Sequence, residues 1–158
     1  MKNIQLIFGS DHAGYEMKEK LLNFYSLSSH SIVSGVADAG CFSNERVDYP
    51  DYAKKVATII KESSPHKKIG VLVCGTGIGI GIAANRFEHI RCALCSDIYS
   101  AEMARKHNDA NCISLGARRT SFDDCLAILE TFVSTEFEGG RHQKRLDKIN
   151  HLKTMLSD

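Results

Sequence analysis

Short runs of consecutive apolar residues alternate along this chain with longer stretches whose apolar positions recur every three or four residues. These are the two periodicities of buried strands and one-sided helices. Ile4 to Phe8 reads as the first strand, and Met17, Leu21 and Tyr25, four residues apart, mark the helix after it. A weaker strand falls within Ser31 to Ala37, followed by a helix over Asp51 to Lys61 with Tyr52, Val56 and Ile59 on one face. The run Ile69 to Cys74 is continuously apolar, as a parallel strand covered on both faces should be. Arg91 to Cys95 and Cys112 to Leu115 predict two more strands, trailed by helices over Ile98 to Lys106 and Phe122 to Val133. A last helix is expected from Arg141 to Leu156. Repeated βα units that fill a chain imply one α/β domain, residues 1–158, with a five-stranded parallel sheet and helices on both faces. Ligands of such folds bind beyond the carboxyl ends of the strands, which singles out Gly9 to Gly14, Cys74 to Gly81, and Arg118 with Arg119.

Composition narrows the partners. With 20 basic against 19 acidic residues the formal charge is +1, so no global field draws the protein to nucleic acid or anionic lipid, and a bound anion must be caught locally. No apolar run approaches the ~18 residues of a membrane span. The opening MKNIQLIFGSDHAG reads as a strand and turn rather than a secretory signal. The six cysteines are therefore expected to be cytoplasmic thiols without disulfides. The final helix supplies a local basic cluster: Leu146, Ile149, Leu152 and Leu156 form an apolar stripe, and Arg141, Lys144, Arg145, Lys148 and Lys153 occupy the other faces. Arg141 and Arg145 lie one turn apart on one side. A solvated basic face is the plainer reading of such charges; the apolar stripe adds the expectation of a homodimer contact.

The densest chemical signal is Cys74-Gly75-Thr76-Gly77-Ile78-Gly79-Ile80-Gly81, with four glycines in seven positions after a buried strand and at a helix start. Bare amides at the positive end of a helix form an anion cradle. The run fits neither the dinucleotide fingerprint nor the P-loop, and tight strand-helix packing is its competing explanation. Cys74 stands at the mouth of this loop. A thiol with pKa ~8.5 is a weak base until amides or cations favour the thiolate, and without the glycines Cys74 would read as a small buried hydrophobe. Cys92 and Cys95, three apart on one strand, point to opposite faces and cannot chelate together. Cys41, Cys112 and Cys125 read as core filling. Asp11 can cap the first helix, and His12 can reach the crevice that holds Cys74. His107, at a helix C-terminus, can equally be compensating the dipole.

Taken together, Gly9-Ser10-Asp11-His12-Ala13-Gly14, Val47 to Ala53, Cys74 to Gly79, His107-Asn108-Asp109-Ala110-Asn111, Leu115-Gly116-Ala117-Arg118 and Gly140-Arg141-His142 with Arg145 resemble the type B ribose-5-phosphate isomerases and their galactose-6-phosphate isomerase relatives. The blocks occur in the family's order over almost the whole chain. The resemblance implies a three-layer αβα Rossmann-like sandwich, a homodimer or dimer of dimers with active sites shared between subunits, and neither metal nor cofactor. It implies interconversion of ribose 5-phosphate and ribulose 5-phosphate through a cis-enediol(ate), a step of the non-oxidative pentose phosphate pathway. By resemblance Cys74 is the base, although some relatives use a nearby Glu, and His107 opens the furanose ring with help from Thr76 or Asp11. Asn108 would touch the sugar and Tyr49 would line the pocket, with His107, Asn108 and Arg118 arriving from the neighbouring subunit. The chain departs from the family between Leu27 and Ala39, which is longer and less regular, and in an insertion-like run from Cys41 to Arg46.

The residues suit that chemistry. Removing a proton beside a carbonyl builds charge on oxygen, which the amides of Gly75, Thr76, Gly77, Ile78 and Gly79 could stabilise. A phosphate dianion needs charge-assisted donors, which Arg141, Arg145, Arg118 and His12 can supply. Two other readings stay open: a hexose-phosphate isomerase of the same family, and a phosphate-binding module without chemistry. A binding module would have no use for an ionisable Cys74 and His107.

Overall fold

The computed structural model describes residues 3–152. Five strands, β1 (Ile4–Ser10), β2 (Val33–Asp38), β3 (Lys67–Cys74), β4 (Cys92–Leu94) and β5 (Cys112–Gly116), form one parallel sheet in the order β2-β1-β3-β5-β4. Six helices accompany them: α1 (Tyr15–Leu27), α2 (Tyr49–Lys61), α3 (Ile78–Ala84), α4 (Ile98–Asn108), α5 (Phe122–Ser134) and α6 (Arg141–Asn150).

Side chains alternate across the sheet with the period of two that a strand imposes. Leu6, Phe8, Ile69, Val71, Ile113 and Leu115 enter one apolar layer with Leu21 and Tyr25 of α1, Ala101 and Ala104 of α4, and Ile128, Leu129 and Phe132 of α5. Ile7, Leu72, Cys74 and Cys112 enter the other, with Ala53, Val56 and Ala57 of α2 and Ile80 and Ala84 of α3. The central strands carry apolar residues on both faces because both are covered, which is why the Ile69 to Cys74 run was legible as a strand.

The structure adjusts several expected boundaries. The strand expected over Arg91 to Cys95 pairs only through Cys92–Leu94, at the sheet edge, where a single neighbour supplies hydrogen bonds. Cys92 packs against the α2/α3 layer and Cys95 lies in the α1/α4/α5 layer, on opposite sides as their spacing requires. The irregular stretch after Leu27 is a turn held by His30, whose Nδ1 accepts the amides of Ile32 (3.1 Å) and Val33 (2.9 Å) and delivers the chain into β2. The last helix ends at Asn150, closed by a turn in which Leu152 N–H donates to Ile149 C=O at 3.2 Å; Lys153 and Leu156 lie outside the described residues. Of its expected stripe, Leu146 is buried, while Ile149 and Leu152 remain about half exposed.

The direction in which successive strands are added reverses between β1 and β3: β2 lies to one side of this parallel pair, and β5 and β4 to the other. The carboxyl ends of β1 and β3 therefore flank a topological switch point, where connections diverge and leave a crevice.

Candidate active site

At that crevice the turn after β1 runs over the end of β3. Asp11 N–H donates to Val73 C=O at 3.3 Å, and a Cβ on Gly14 would stand 2.2 Å from that same carbonyl oxygen, so only glycine permits the crossing. Asp11 does not cap α1 as expected. Its Oδ1 accepts the Gly14 amide at 3.0 Å, while Gly14 itself occupies the cap position, so the carboxylate is spent on closing the turn and is held, buried, beside the crevice. Next to it His12 is fixed sideways, with Nδ1 3.3 Å from Val47 N and 3.2 Å from Val47 O in the loop before α2.

Cys74, the last residue of β3, is 5% exposed, and its Sγ receives the Gly77 N–H at 3.0 Å. That geometry needs Gly77 in the left-handed region, at φ +78°, where it also abuts the Leu115 backbone, and only then can the chain turn into α3 with an amide aimed back at sulfur. The Cys74 and Gly75 carbonyls accept from Ala117 N (2.9 Å) and Arg118 N (3.0 Å), which fastens the loop to the end of β5. Ile78 N–H turns to the Thr76 hydroxyl at 3.3 Å, and both Thr76 and Ile78 face solvent. Tyr49 lies over Gly79, where a Cβ would stand 2.8 Å from its ring. Arg118, expected from a neighbouring subunit, lies against its own chain's loop, with Nη1 3.2 Å from where a Gly75 Cβ would be.

The remaining candidates sit elsewhere. His107 and Asn108 end α4, which runs antiparallel to the strands and finishes at their amino edge. Arg91, just before β4, reaches the Asn108 and Asp109 carbonyls from Nε at 3.0 Å each, and Lys67, the first residue of β3, approaches the Asp109 carboxylate at 3.9 Å. Asp109, left-handed at φ +41°, also receives Arg105 Nη1 at 2.8 Å, so the end of α4 is clamped by cations on both sides. Seven residue steps along β3 separate Lys67, at this edge, from Cys74; at ~3.3 Å per step that is roughly 23 Å. Arg141 and Arg145 join His107 at this far edge through α6. The candidates thus form two groups at opposite ends of the sheet: Asp11, His12, Tyr49, Cys74 to Gly79 and Arg118 at one, and His107, Asn108, Arg141 and Arg145 at the other.

The second group contains a residue that sequence reasoning carried only as part of a motif. His142 is 3% exposed and stacks on His107, with ring centroids 4.2 Å apart and planes 11° from parallel. Arg141 Nε donates to its Nε2 at 3.3 Å, Arg145 Nη1 stands 3.4 Å from its Nδ1, and Glu138 Oε2 is 3.5 Å from its Nε2. Burial foremost, then His107, Arg141 and Arg145, hold His142 below the usual imidazole range, against the pull of Glu138. The available sequence signal was its position four residues before Leu146, on the apolar stripe of a basic helix.

Ligating atoms of His107, Glu138 and His142 lie within 4.8 Å of one another. An imidazole binds a metal along a lone pair in its own plane, and two rings in nearly parallel planes do not direct those lone pairs to one point. Two guanidinium groups at His142 add charge repulsion. As arranged, the cluster is built for stacking rather than chelation. A groove of about 520 Å³ beside it is lined by Arg91, Asn108, Leu146, Ile149 and Leu152, among others. No helix among the described residues is long and apolar enough to cross a membrane.

Comparison with known proteins extends this picture. Residues 6–149 match the family model described as Ribose/Galactose Isomerase. Ribose-5-phosphate isomerase B of Escherichia coli (strain K12) is 38% identical over 151 residues, covering 94% of this chain and 96% of that protein. Among solved structures, ribose-5-phosphate isomerase B of Clostridium thermocellum superposes with a TM-score of 0.88 at 41% identity, over 96% of this chain and 99% of the other. The Mycoplasma genitalium ribose-5-phosphate isomerase B, solved with bound ribulose-5-phosphate, gives a TM-score of 0.83 at 31% identity over 98% of this chain and 99% of the other.

Proposed function

We propose, since this chain belongs to the ribose/galactose isomerase family, that it is an aldose-ketose isomerase interconverting D-ribose 5-phosphate and D-ribulose 5-phosphate. The observation that carries the reading is Cys74 beneath the Gly77 amide at the β1/β3 switch point, on a fold shared with an isomerase that holds ribulose-5-phosphate.

In the open-chain aldose, the Cys74 thiolate takes the proton from C2. The C2–H electron pair becomes the C1=C2 bond of a cis-enediolate, and the carbonyl π pair moves onto O1, where those amides of the Gly75 to Gly79 loop not held by Cys74 Sγ or the Thr76 hydroxyl meet it. Transfer of the O2 proton to O1 and return of the thiol proton to C1 complete the ketose, with no electron leaving the substrate. The chemistry as written needs no cofactor. Ribose 5-phosphate arrives as a furanose, and His107 donates the proton that releases the ring oxygen, with Thr76 or Asp11 assisting. Asn108 and Tyr49 contact the sugar; Arg141, Arg145, Arg118 and His12 bind the phosphate.

Because the two groups of residues stand at opposite sheet edges, a second copy must bring His107, Asn108, Arg141 and Arg145 to the Cys74 crevice. The reading is therefore of a single isomerase domain working as a homodimer or a dimer of dimers, with half-exposed Ile149 and Leu152 at the contact. Six free thiols suit a reducing cytoplasm.

The test is incubation of the purified homomer with ribose 5-phosphate and measurement of ribulose 5-phosphate. Turnover of the pentose supports the assignment. A protein inert toward ribose 5-phosphate but active on a hexose 6-phosphate overturns the pentose reading, and one that binds both without turnover overturns the enzyme reading.

A further inference from the structure

We propose that His142 is a positioning residue that fixes the His107 ring and the two phosphate-binding arginines as one unit, so that seating the phosphate and orienting the ring-opening acid become a single event. The inference rests on the reading of His107 as that acid.

The geometry sets the role. His107 ends its helix, where a side chain would otherwise be free to turn, and its face is covered by a ring only 11° from parallel. His142 can hold that ring because it is itself immobilised: it is buried on the stripe that includes Leu146, with Nε2 accepting from Arg141. Guanidinium groups only donate, and a neutral imidazole has one accepting nitrogen and one N–H. The Arg141 Nε–H to Nε2 contact therefore places the His142 proton on Nδ1, so Arg145 at 3.4 Å is a neighbouring cation there and not a hydrogen-bond partner. Protonating Nε2 as well would replace the bond from Arg141 with a second donor and set a positive ring between two cations, with only Glu138, 3.5 Å away, to offset them. His142 is thus kept neutral among Arg141 and Arg145 of its own helix, Glu138 of the preceding loop and His107 of α4. A neutral stacking partner sets no second charge against the face of His107. The same ring touches both arginines, so a phosphate that draws them into register also sets the plane of His107.

Two activities separate this role from a merely structural one. Converting ribose 5-phosphate requires ring opening. Exchange of the C1 hydrogen of ribulose 5-phosphate with deuterated solvent does not, because esterification of its C5 oxygen leaves that ketose open-chain. In His142→Leu, saturating turnover of ribose 5-phosphate is expected to fall at least about tenfold, within the range a positioned acid supplies, while C1 exchange stays within about twofold. His142→Phe, which keeps a flat ring but no nitrogens, is expected to recover most of the turnover at saturation while retaining a raised KM for the phosphorylated sugar. Thermal melts of both variants show whether the fold is kept. Equal losses in turnover and exchange, no loss in either, or a Phe variant no better than Leu would overturn the inference. A wild-type protein showing neither turnover nor exchange would instead sink the isomerase reading on which it stands.

Discussion

Six thiols share this chain, and their surroundings separate them. Burial pushes Cys95 and Cys125 up to about 11. Cys112 is driven well above the ordinary thiol range by its hydrogen bond to Cys92 and by complete burial. Such groups stay protonated and inert at neutral pH. Cys74 differs in having an amide donor aimed at its sulfur at 3.0 Å and in standing at the β1/β3 switch point. Replacing Cys74 by Ala is therefore expected to lower exchange of the substrate C2 proton with solvent by about two to four orders of magnitude, while ribose 5-phosphate still binds. Proton NMR in deuterated buffer measures the exchange, and calorimetry the binding. Persistent exchange in the Ala variant removes Cys74 from the role of base. The same scale shows why His142 escaped sequence reading while Cys74 did not. Glycines flank Cys74 in the sequence itself, whereas the meaning of His142 lies in a ring 35 positions away that only the packing of α6 against α4 brings to it.

Among the elements, the junction of α1, β2 and α5 is held by a polar knot. Tyr25 Oη donates to Glu130 at 2.5 Å, and His30 Nε2 meets the other oxygen of that carboxylate at 3.0 Å. Burial first, then the hydrogen bond to Glu130, raise the Tyr25 phenol far above its ordinary 10.0. The folded chain then keeps a proton that the unfolded chain gives up, so this contribution is whole below pH 10.0 and is lost as pH rises beyond it. Tyr25→Phe is expected to cost about 1.5–3 kcal/mol near neutrality, the worth of a hydrogen bond to a charged group, and to show a shallower fall in Tm above about pH 10. Melting curves across that range check it; parallel curves for the two proteins would refute the assignment. Elements were legible where a single periodicity ruled, as in Ile69 to Cys74 or the face through Leu21 and Tyr25. The extent of α3 was not, because Gly79 and Gly81 lower helix propensity. Those glycines are fixed by close approach instead: a Cβ at 81 would stand 2.7 Å from Ser114 Oγ, and one at 79 would meet the Tyr49 ring. Lys18 was equally hidden. It lies on the buried face of α1 yet is fully enclosed, neutralised by Asp38 of β2 at 2.7 Å, and a lysine in a helix reads as surface until its partner is known.

For the whole molecule, a net charge of +1 conceals a division of labour between the two edges of one sheet. Cys74 and the glycine loop, proposed as base and oxyanion donors, stand at the carboxyl edge; His107 and the arginine pair, proposed as acid and phosphate ligands, stand at the amino edge, with the length of β3 between them. No hinge within a continuous, doubly covered sheet can close that gap, so the proposed site requires that edges of different copies be juxtaposed. This gives a test that does not depend on seeing the assembly. Cys74→Ala and His107→Asn should each be inactive alone. Co-expressed in equal amounts, they are expected to form mixed dimers in which one of two sites pairs an intact Cys74 with an intact His107 and the other carries both defects. Random pairing makes half the dimers mixed, so roughly a quarter of wild-type activity is expected to return. A site contained within one chain would recover nothing, because every chain in the mixture lacks one of the two groups. Adding His142→Leu to the Cys74→Ala chain sharpens the outcome. That chain supplies His107 to the sole intact site, so the recovered ribose 5-phosphate turnover should drop, whereas the same change in the His107→Asn chain falls on the doubly defective site and should leave the recovered activity as it was.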